Sequence, residues 1–510
     1  MFWLNKIADE LEARNPHGEI VVSSGVSPSG TYHLGTLREV LTAEAILRVL
    51  KQRGREVRHI HVVDDLDVFR KVPADVSDEF SEHLGKPLCE VPAPDGSDIS
   101  YADYFLKDLL HSAEPLNLEM EVMRAHEAYR RGLFTEAIEE ALSGVKVIRT
   151  ALEEISGRKL DDQWSPIQVL ENGRLKNRKF IAISPSDRTI QFETPNGDQK
   201  TVRYDSGEVK LNWRIDWPAR WWKIGVDAEP FGRDHGTKGG SYDTGVEIAR
   251  NVYKTEPPFP IPYNFINRTG DTKKMSKSAG DAVTAVDLLS VLPAEIVWYF
   301  IIRYAPDKLL FFDTEETLMK LFDEFSELAS KSDRSTEEEQ LLELCVKGID
   351  EKTVSRIPFT HLVASYQASL KDVDKTLEVI MRTEHRQTAE EDAEIIKKEL
   401  IFIDEWLKKW APEEVKFELI SQPPTDTLND TQKEFLQRLA DKIAAAPKNV
   451  DGEWFHKVIY EFKESHGLQP KELFTTLYAV LIGKQSGPRA GWFLSLLPRD
   501  WLVERLRLKA

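Results

Sequence analysis

The sequence predicts an α/β domain built on a parallel sheet, carrying an α+β insertion and followed by an all-α C-terminal region. Three observations carry this. Two apolar runs, residues 19–25 and 57–63, flank a long stretch of helical apolar spacing, which is the β-α-β pattern of adjacent parallel strands. Turn pairs and short alternating runs cluster in residues 168–209, as in hairpins. After Asp287 the chain reads as helices to residue 510.

Taken in order, Met1-Phe2-Trp3-Leu4-Asn5-Lys6 soon meets Asp9, Glu10 and Glu12, and reads as a short amphipathic helix instead of a signal peptide. Ile20, Val21 and Val22 begin a buried strand. The segment Pro28-Ser29-Gly30-Thr31-Tyr32-His33-Leu34-Gly35-Thr36 then reads as a loop opening onto a helix over about 33–53. Leu37, Leu41, Ala45 and Val49 fall four apart, and Val40, Ala43, Leu47 and Leu50 widen that face. Gly54 closes the helix. Neither GxGxxG nor a Walker A sequence follows the first strand, so the usual dinucleotide and P-loop readings lose support.

Residues 95–210 read as an insertion, first helical, then rich in turns at Asn172-Gly173, Asn196-Gly197 and Ser206-Gly207. The sheet is expected to resume at 210–217. It continues with Ala228-Glu229-Pro230-Phe231-Gly232, a helix near 244–253 and a strand at 263–267. A lysine-bearing loop follows, Lys274-Met275-Ser276-Lys277-Ser278, between Gly270 and Gly280. Residues 332–335 and 421–424 are candidate linkers or long loops. The resulting division is a catalytic domain at 1–94 and 211–285, the insertion at 95–210, a helical region at 286–330 and a second helical region at 331–510.

Composition excludes several classes. Hydrophobic content of 41% and charged content of 30% fit an ordinary globular protein. The longest apolar run, near 296–302, is too short to span a bilayer, so no membrane association is expected. Cys89 and Cys345 form no CxxC, which leaves no disulfide framework and no cysteine-based zinc site, and suits reduced thiols in a cytoplasmic protein. A net charge of −18 does not announce a nucleic-acid binder. Local basic stretches exist at 174–179 and at 471–510, where seven Lys/Arg face three Asp/Glu. Phosphates are contacted patch by patch, although a solvated helix face is the better reading of either stretch alone.

The glycine-bearing loop and the lysine loop lie 241 residues apart, from His33 to Lys274. Together they suit activation of a carboxylate by ATP. The carboxylate attacks the α-phosphorus, pyrophosphate leaves, and charge builds on phosphate oxygens, so the site needs donors, cations and close backbone approach. Gly30 and Gly35 leave room for such an approach. The helix start offers free N–H groups, and His33 can donate to a phosphate oxygen. Lys277, with Lys274 beside it, would neutralise the pentacoordinate phosphate. Taken singly, His33 reads equally as a helix cap and the two lysines as a solvated loop.

These two loops resemble the HIGH and KMSKS signatures of class I aminoacyl-tRNA synthetases. Longer strings resemble class I lysyl-tRNA synthetases: Asp64-Asp65-Leu66-Asp67-Val68-Phe69-Arg70-Lys71-Val72-Pro73, Asp216-Trp217-Pro218-Ala219-Arg220-Trp221, Gly232-Arg233-Asp234-His235, Ser241-Tyr242-Asp243-Thr244-Gly245, and Gly483-Lys484-Gln485-Ser486-Gly487-Pro488-Arg489-Ala490-Gly491-Trp492-Phe493. The likeness covers nearly the whole chain. It implies a Rossmann-like class I synthetase catalytic domain, an acceptor-end insertion, a stem-contact region at 286–330 and an α-helical anticodon-binding domain at 331–510. The implied activity is ligation of L-lysine to tRNA(Lys) through a lysyl-adenylate, with release of AMP and pyrophosphate. The implied enzyme is a cytoplasmic monomer using ATP with Mg2+. His33, Lys274 and Lys277 would be catalytic. Pro28, Gly30, His33, Gly35, Thr36, Gly232, Asp234 and Lys277 would hold ATP. Gly25, Ser27, Glu39, Trp213, His235 and Tyr263 would hold lysine.

The residues agree with that assignment. A lysine ammonium needs a carboxylate and aromatic walls when it leaves water. Glu39 lies six residues after His33 on the same helix. Read without the family, Glu39 is equally an exposed helix carboxylate, and Trp213 and Tyr263 ordinary core. Asp64 and Asp65 end a strand at the crevice and serve either substrate or structure. The sequence departs from the family at Thr36, where Asn is common, at Leu34 for isoleucine, and at Ser27 for threonine. The inserted region 163–209 has no cysteine, so no zinc is expected. Two other readings stand beside the lysine ligase. One is a paralogue that binds tRNA or nucleotide without charging. The other is a class I ligase for another amino acid such as glutamate, which would need basic side chains where Glu39 and the aromatics stand.

Overall fold

The computed structural model describes residues 2–74, 76–162, 164–270, 283–349, 352–447, 450–466 and 469–509, with backbone alone over 463–466. The chain divides into two units. One comprises residues 1–289, 297–312 and 335–349, the other 290–296, 313–334 and 350–510.

The first unit is built on a five-stranded, all-parallel sheet. Its order is Phe259–Tyr263, Ala228–Gly232, Ile20–Val26, Val57–Val63, Glu121–Arg124. The first strand in sequence lies in the middle, and the chain leaves it first toward Val57–Val63 and later toward Ala228–Gly232. That reversal opens a crevice at the strand carboxyl ends, where open parallel sheets place their ligands. The Leu34–Gln52 helix makes the first crossover, with His33 as its N-cap. Leu37, Leu41, Val40 and Leu50 are fully buried, as the spacing predicts.

The polar side of that helix is buried as well, which apolar spacing does not foretell. Arg38 donates to the carbonyls of Phe265, Pro306 and Lys308 at 3.0, 2.9 and 2.6 Å. Arg48 donates to the carbonyls of Leu344, Leu116 and Asn117 and lies 3.9 Å over the Trp298 ring. Glu44 joins the His59 and Ser24 side chains in a continuous chain of hydrogen bonds, each of 2.7 Å. Satisfied carbonyl and imidazole partners are what let such groups leave water.

Four elements differ from expectation. Residues 210–217 do not resume the sheet. Val209–Leu211 pairs antiparallel with Ile167–Glu171, and Trp213–Ile224 is a helix. Glu121–Arg124, within the stretch read as an insertion, is the edge strand of the parallel sheet. The strand placed at 263–267 is two, Phe259–Tyr263 and Ile266–Arg268, and the second pairs with Leu310–Phe312 in a region read as helix. Short strands are decided by partners distant in sequence, so local spacing does not reveal them. The hairpins follow their turns: Asn172 and Gly173 both take positive φ, 51° and 71°, between Ile167–Glu171 and Arg174–Asn177. In the basic stretch beside them, Arg178 pairs with Glu171 at 2.6 Å and Arg174 donates to the Glu82 carbonyl.

The second unit is helical. Phe435, Leu439, Ile459, Leu477, Leu481 and Phe493 pack in its core. Asn429 and Gln432 form a capping box, and Gly483 ends the Pro470–Ile482 helix at φ 68°. Trp492 is half-buried against this core and donates its indole N–H to His361 Nδ1 at 2.8 Å, whereas Arg489 is exposed. Among the described residues no single helix is long and apolar enough to cross a membrane. Cys89 and Cys345 are free thiols.

Candidate active site

A cavity of about 550 Å³ opens at the carboxyl ends of Ile20–Val26 and Ala228–Gly232. Of the residues expected at the site, Gly25, Ser27, His33, Gly35, Thr36, Glu39, Trp213, Gly232, Asp234, His235 and Tyr263 line it. Pro28 and Gly30 are buried and do not line it. Lys274 and Lys277 lie outside the described residues. The chain on both sides of them is fixed at the cavity. Ile266 and Val283 line it, Leu34 N–H donates to the Val283 carbonyl at 3.3 Å, and Ala285 N–H to the Tyr32 carbonyl at 3.2 Å.

His33 caps the helix: its Nδ1 accepts the Thr36 N–H at 3.3 Å. An accepting Nδ1 assigns the proton of a neutral ring to Nε2, where it is a donor. Gly35 is required by this ring, because a Cβ there would lie 2.8 Å from His33 Cε1. The His33 ring thus occupies the space beside Gly35, which also lines the cavity.

Glu39 has both oxygens engaged. Oε1 accepts the Gly25 N–H at 2.8 Å and Oε2 accepts the Tyr263 hydroxyl at 2.6 Å. Loss of solvation pushes its carboxyl up to about 7, against those two hydrogen bonds and with a further upward push from Glu229. Glu39 has no cationic partner among the described ion pairs.

The strand-end aspartates are different. Asp64 is held between Lys210 at 3.0 Å and Arg220 at 2.9 Å. Burial opposes its ionisation, but Arg220 and Lys210 outweigh that and keep it well below the usual carboxylate range. Arg220 also pairs with Asp216, which accepts the Tyr129 hydroxyl. Asp65 accepts from Arg124 and His126 at 2.6 Å each. Both aspartates thus have partners within the protein, and Asp64 also lines the cavity.

Aromatic rings make the opposite wall. His235 lies 5.9 Å from Trp213 and 5.8 Å from Trp217, and Trp217 meets Phe231 edge-on at 5.5 Å. Trp221 stands behind Trp217 at 5.0 Å. Its seat depends on Gly245, where a Cβ would lie 2.6 Å from the Trp221 ring. Trp217 and Glu229 are cavity residues that the sequence reading passed over. The signal was present: Glu229 is a carboxylate in a fully buried strand, and it shares a face with Phe231 by strand alternation. Burial pushes its carboxyl up to about 7, with the Trp217 and Trp221 indoles and Arg220 opposing.

Residues 1–349 match a family model described as tRNA synthetases class I (K), and residues 364–509 one described as anticodon binding domain. The chain is 37% identical to "Lysine--tRNA ligase 1" of Methanosarcina acetivorans, over 99% of this chain and 98% of the relative. It is 35% identical to "Lysine--tRNA ligase" of Archaeoglobus fulgidus and 34% identical to that of Pyrococcus horikoshii, each over 99% of both chains.

Proposed function

As the chain belongs to the class I (K) tRNA synthetases, we propose that it ligates L-lysine to tRNA(Lys) through a lysyl-adenylate. The observation that carries this reading is Glu39, a carboxylate held by two donors in an aromatic-walled cavity without a cation of its own. A lysine ammonium is the partner that fits there. A glutamate side chain would meet Glu39 and Glu229 and be repelled, which disfavours the nearest alternative ligase.

In this reading Gly25, Ser27, Glu39, Trp213, His235 and Tyr263 hold lysine with its carboxylate directed toward the start of the Leu34–Gln52 helix. ATP lies along Gly35, Thr36, Gly232 and Asp234, and the Nε2 proton of His33 meets its phosphates. Pro28 and Gly30 support the loop from behind. A lysine carboxylate oxygen attacks the α-phosphorus and pyrophosphate leaves. Lys277, aided by Lys274, offsets the charge at phosphorus. A terminal hydroxyl of tRNA then attacks the acyl carbon and AMP leaves. Mg2+ travels with ATP as counter-ion of its phosphates, and no zinc takes part. The enzyme acts as a cytoplasmic monomer.

The test is ATP–pyrophosphate exchange with a panel of amino acids, each with and without tRNA. Exchange should depend on lysine, and glutamate should give none in either arm. No lysine-dependent exchange even with tRNA would leave the non-charging paralogue as the better reading. The helical unit is proposed to grip the anticodon by stacking and phosphate contact. A lysine tRNA with one anticodon base changed is then charged more slowly than the normal one, and equal rates would assign that unit a structural function.

Glu39 also sets a pH dependence. With its carboxyl near 7, Glu39 is ionised at pH 8 and largely neutral at pH 6. Ammonium prefers the ionised form, so lysine binding displaces a proton near neutrality. The KM for lysine should therefore rise as pH falls from 8 to 6. A flat profile over that range would remove Glu39 as the titrating counter-ion.

A further inference from the structure

We infer that Glu229 is a second carboxylate of the amino-acid site and shares the side-chain ammonium of the substrate with Glu39. This rests on the proposed lysine reading and extends it to a residue that the signatures do not contain.

Glu229 is 7% exposed and lines the same cavity as Glu39. Its Oε2 takes both indole donors, Trp217 at 2.9 Å and Trp221 at 2.5 Å. Oε1 accepts no hydrogen bond among the described residues. The carboxylate is thus clamped by one oxygen while the other stays available at the cavity wall. An oxygen left without a protein donor at a cavity wall is open to the donor of a ligand. Arg220, whose charge eases the ionisation of Glu229, forms its ion pairs with Asp64 and Asp216.

The chemistry of the missing partner follows. Two carboxylates with no ion pair among the described residues face one cavity, and Glu229 raises the cost of ionising Glu39. A primary ammonium carries one charge and three N–H donors in a tetrahedral fan, so it can bridge two carboxylates from one point. The indoles of Trp217 and Trp221 fix Glu229 before substrate arrives, which reduces the ordering cost of binding. This pair selects for a cationic side chain twice over. A neutral side chain of equal length leaves two desolvated carboxylates unpaired.

The experiment compares wild type with Glu229→Gln in ATP–pyrophosphate exchange on the full-length protein. L-2-aminoheptanoate, which has a methyl group where lysine has its ammonium, serves as competitor. The amide oxygen of the variant can still accept both indole N–H groups. The expected result is a lysine KM raised by about tenfold or more, with the ATP KM and the inhibition constant of the competitor changed less than about twofold. Glu229→Asp, which keeps the charge but withdraws it, should fall between. A lysine KM within twofold of wild type in both variants overturns the inference and leaves the lysine reading standing. A parallel rise for lysine and the competitor also overturns it, because Glu229 then only shapes the wall. Absence of lysine-dependent exchange in wild type even with tRNA present overturns the lysine reading, and the inference with it.

Discussion

Replacing Lys277 by alanine is expected to lower lysyl-adenylate formation at least about 100-fold, on the order of 3 kcal/mol, the usual loss when one transition-state contact is removed. The argument is differential binding. Charge on the phosphate oxygens grows as the carboxylate attacks, so a cation placed there lowers the barrier more than it strengthens ground-state binding. Lysine binding measured without ATP should be nearly unchanged, because the phosphate charge that Lys277 is proposed to offset is then not present. Val283 and Ala285 bond to the backbone of Leu34 and Tyr32, immediately beside His33. An exchange rate in Lys277→Ala close to wild type would show that another group offsets the phosphate charge.

Replacing Glu39 by glutamine should raise the KM for lysine far more than that for ATP. The variant keeps an acceptor for the Gly25 N–H or the Tyr263 hydroxyl, so its shape changes little. What is lost is the charge facing a desolvated ammonium. Such a loss costs about 2–5 kcal/mol, roughly 30-fold or more in affinity. Asp64 cannot take over, because Lys210 and Arg220 already neutralise it. An unchanged KM for lysine would transfer the counter-ion role wholly to Glu229.

The sequence read by itself determined the β-α-β frame, the Leu34–Gln52 helix, the hairpins at Asn172-Gly173 and Asn196-Gly197, and the family. All of these are written locally, in spacing, turn residues or contiguous strings. It also singled out Glu39, because the loop at Pro28–Thr36 and the helix it opens fix which residues rise beside the strand ends. Pairing across the chain was not legible. Val209–Leu211 pairs antiparallel with Ile167–Glu171 instead of returning to the parallel sheet, a choice its own spacing does not reveal. Glu121–Arg124 joined the sheet at an edge that no spacing marks.

The carboxylates make the same point in chemistry. In sequence, Asp64, Asp65, Glu39 and Glu229 are four acids near strand ends or a helix start. Tertiary structure alone separates them. Lys210 comes from a hairpin strand and Arg220 from the Trp213–Ile224 helix, and together they neutralise Asp64. Arg124 pairs with Asp65, which also has a hydrogen bond to the His126 ring. Glu39 and Glu229 receive only hydrogen-bond donors, from Gly25, Tyr263, Trp217 and Trp221. Whether a carboxylate is spent on structure or left for a ligand depends on which charges lie within a few ångströms and how much water remains, and both are set by residues far away along the chain.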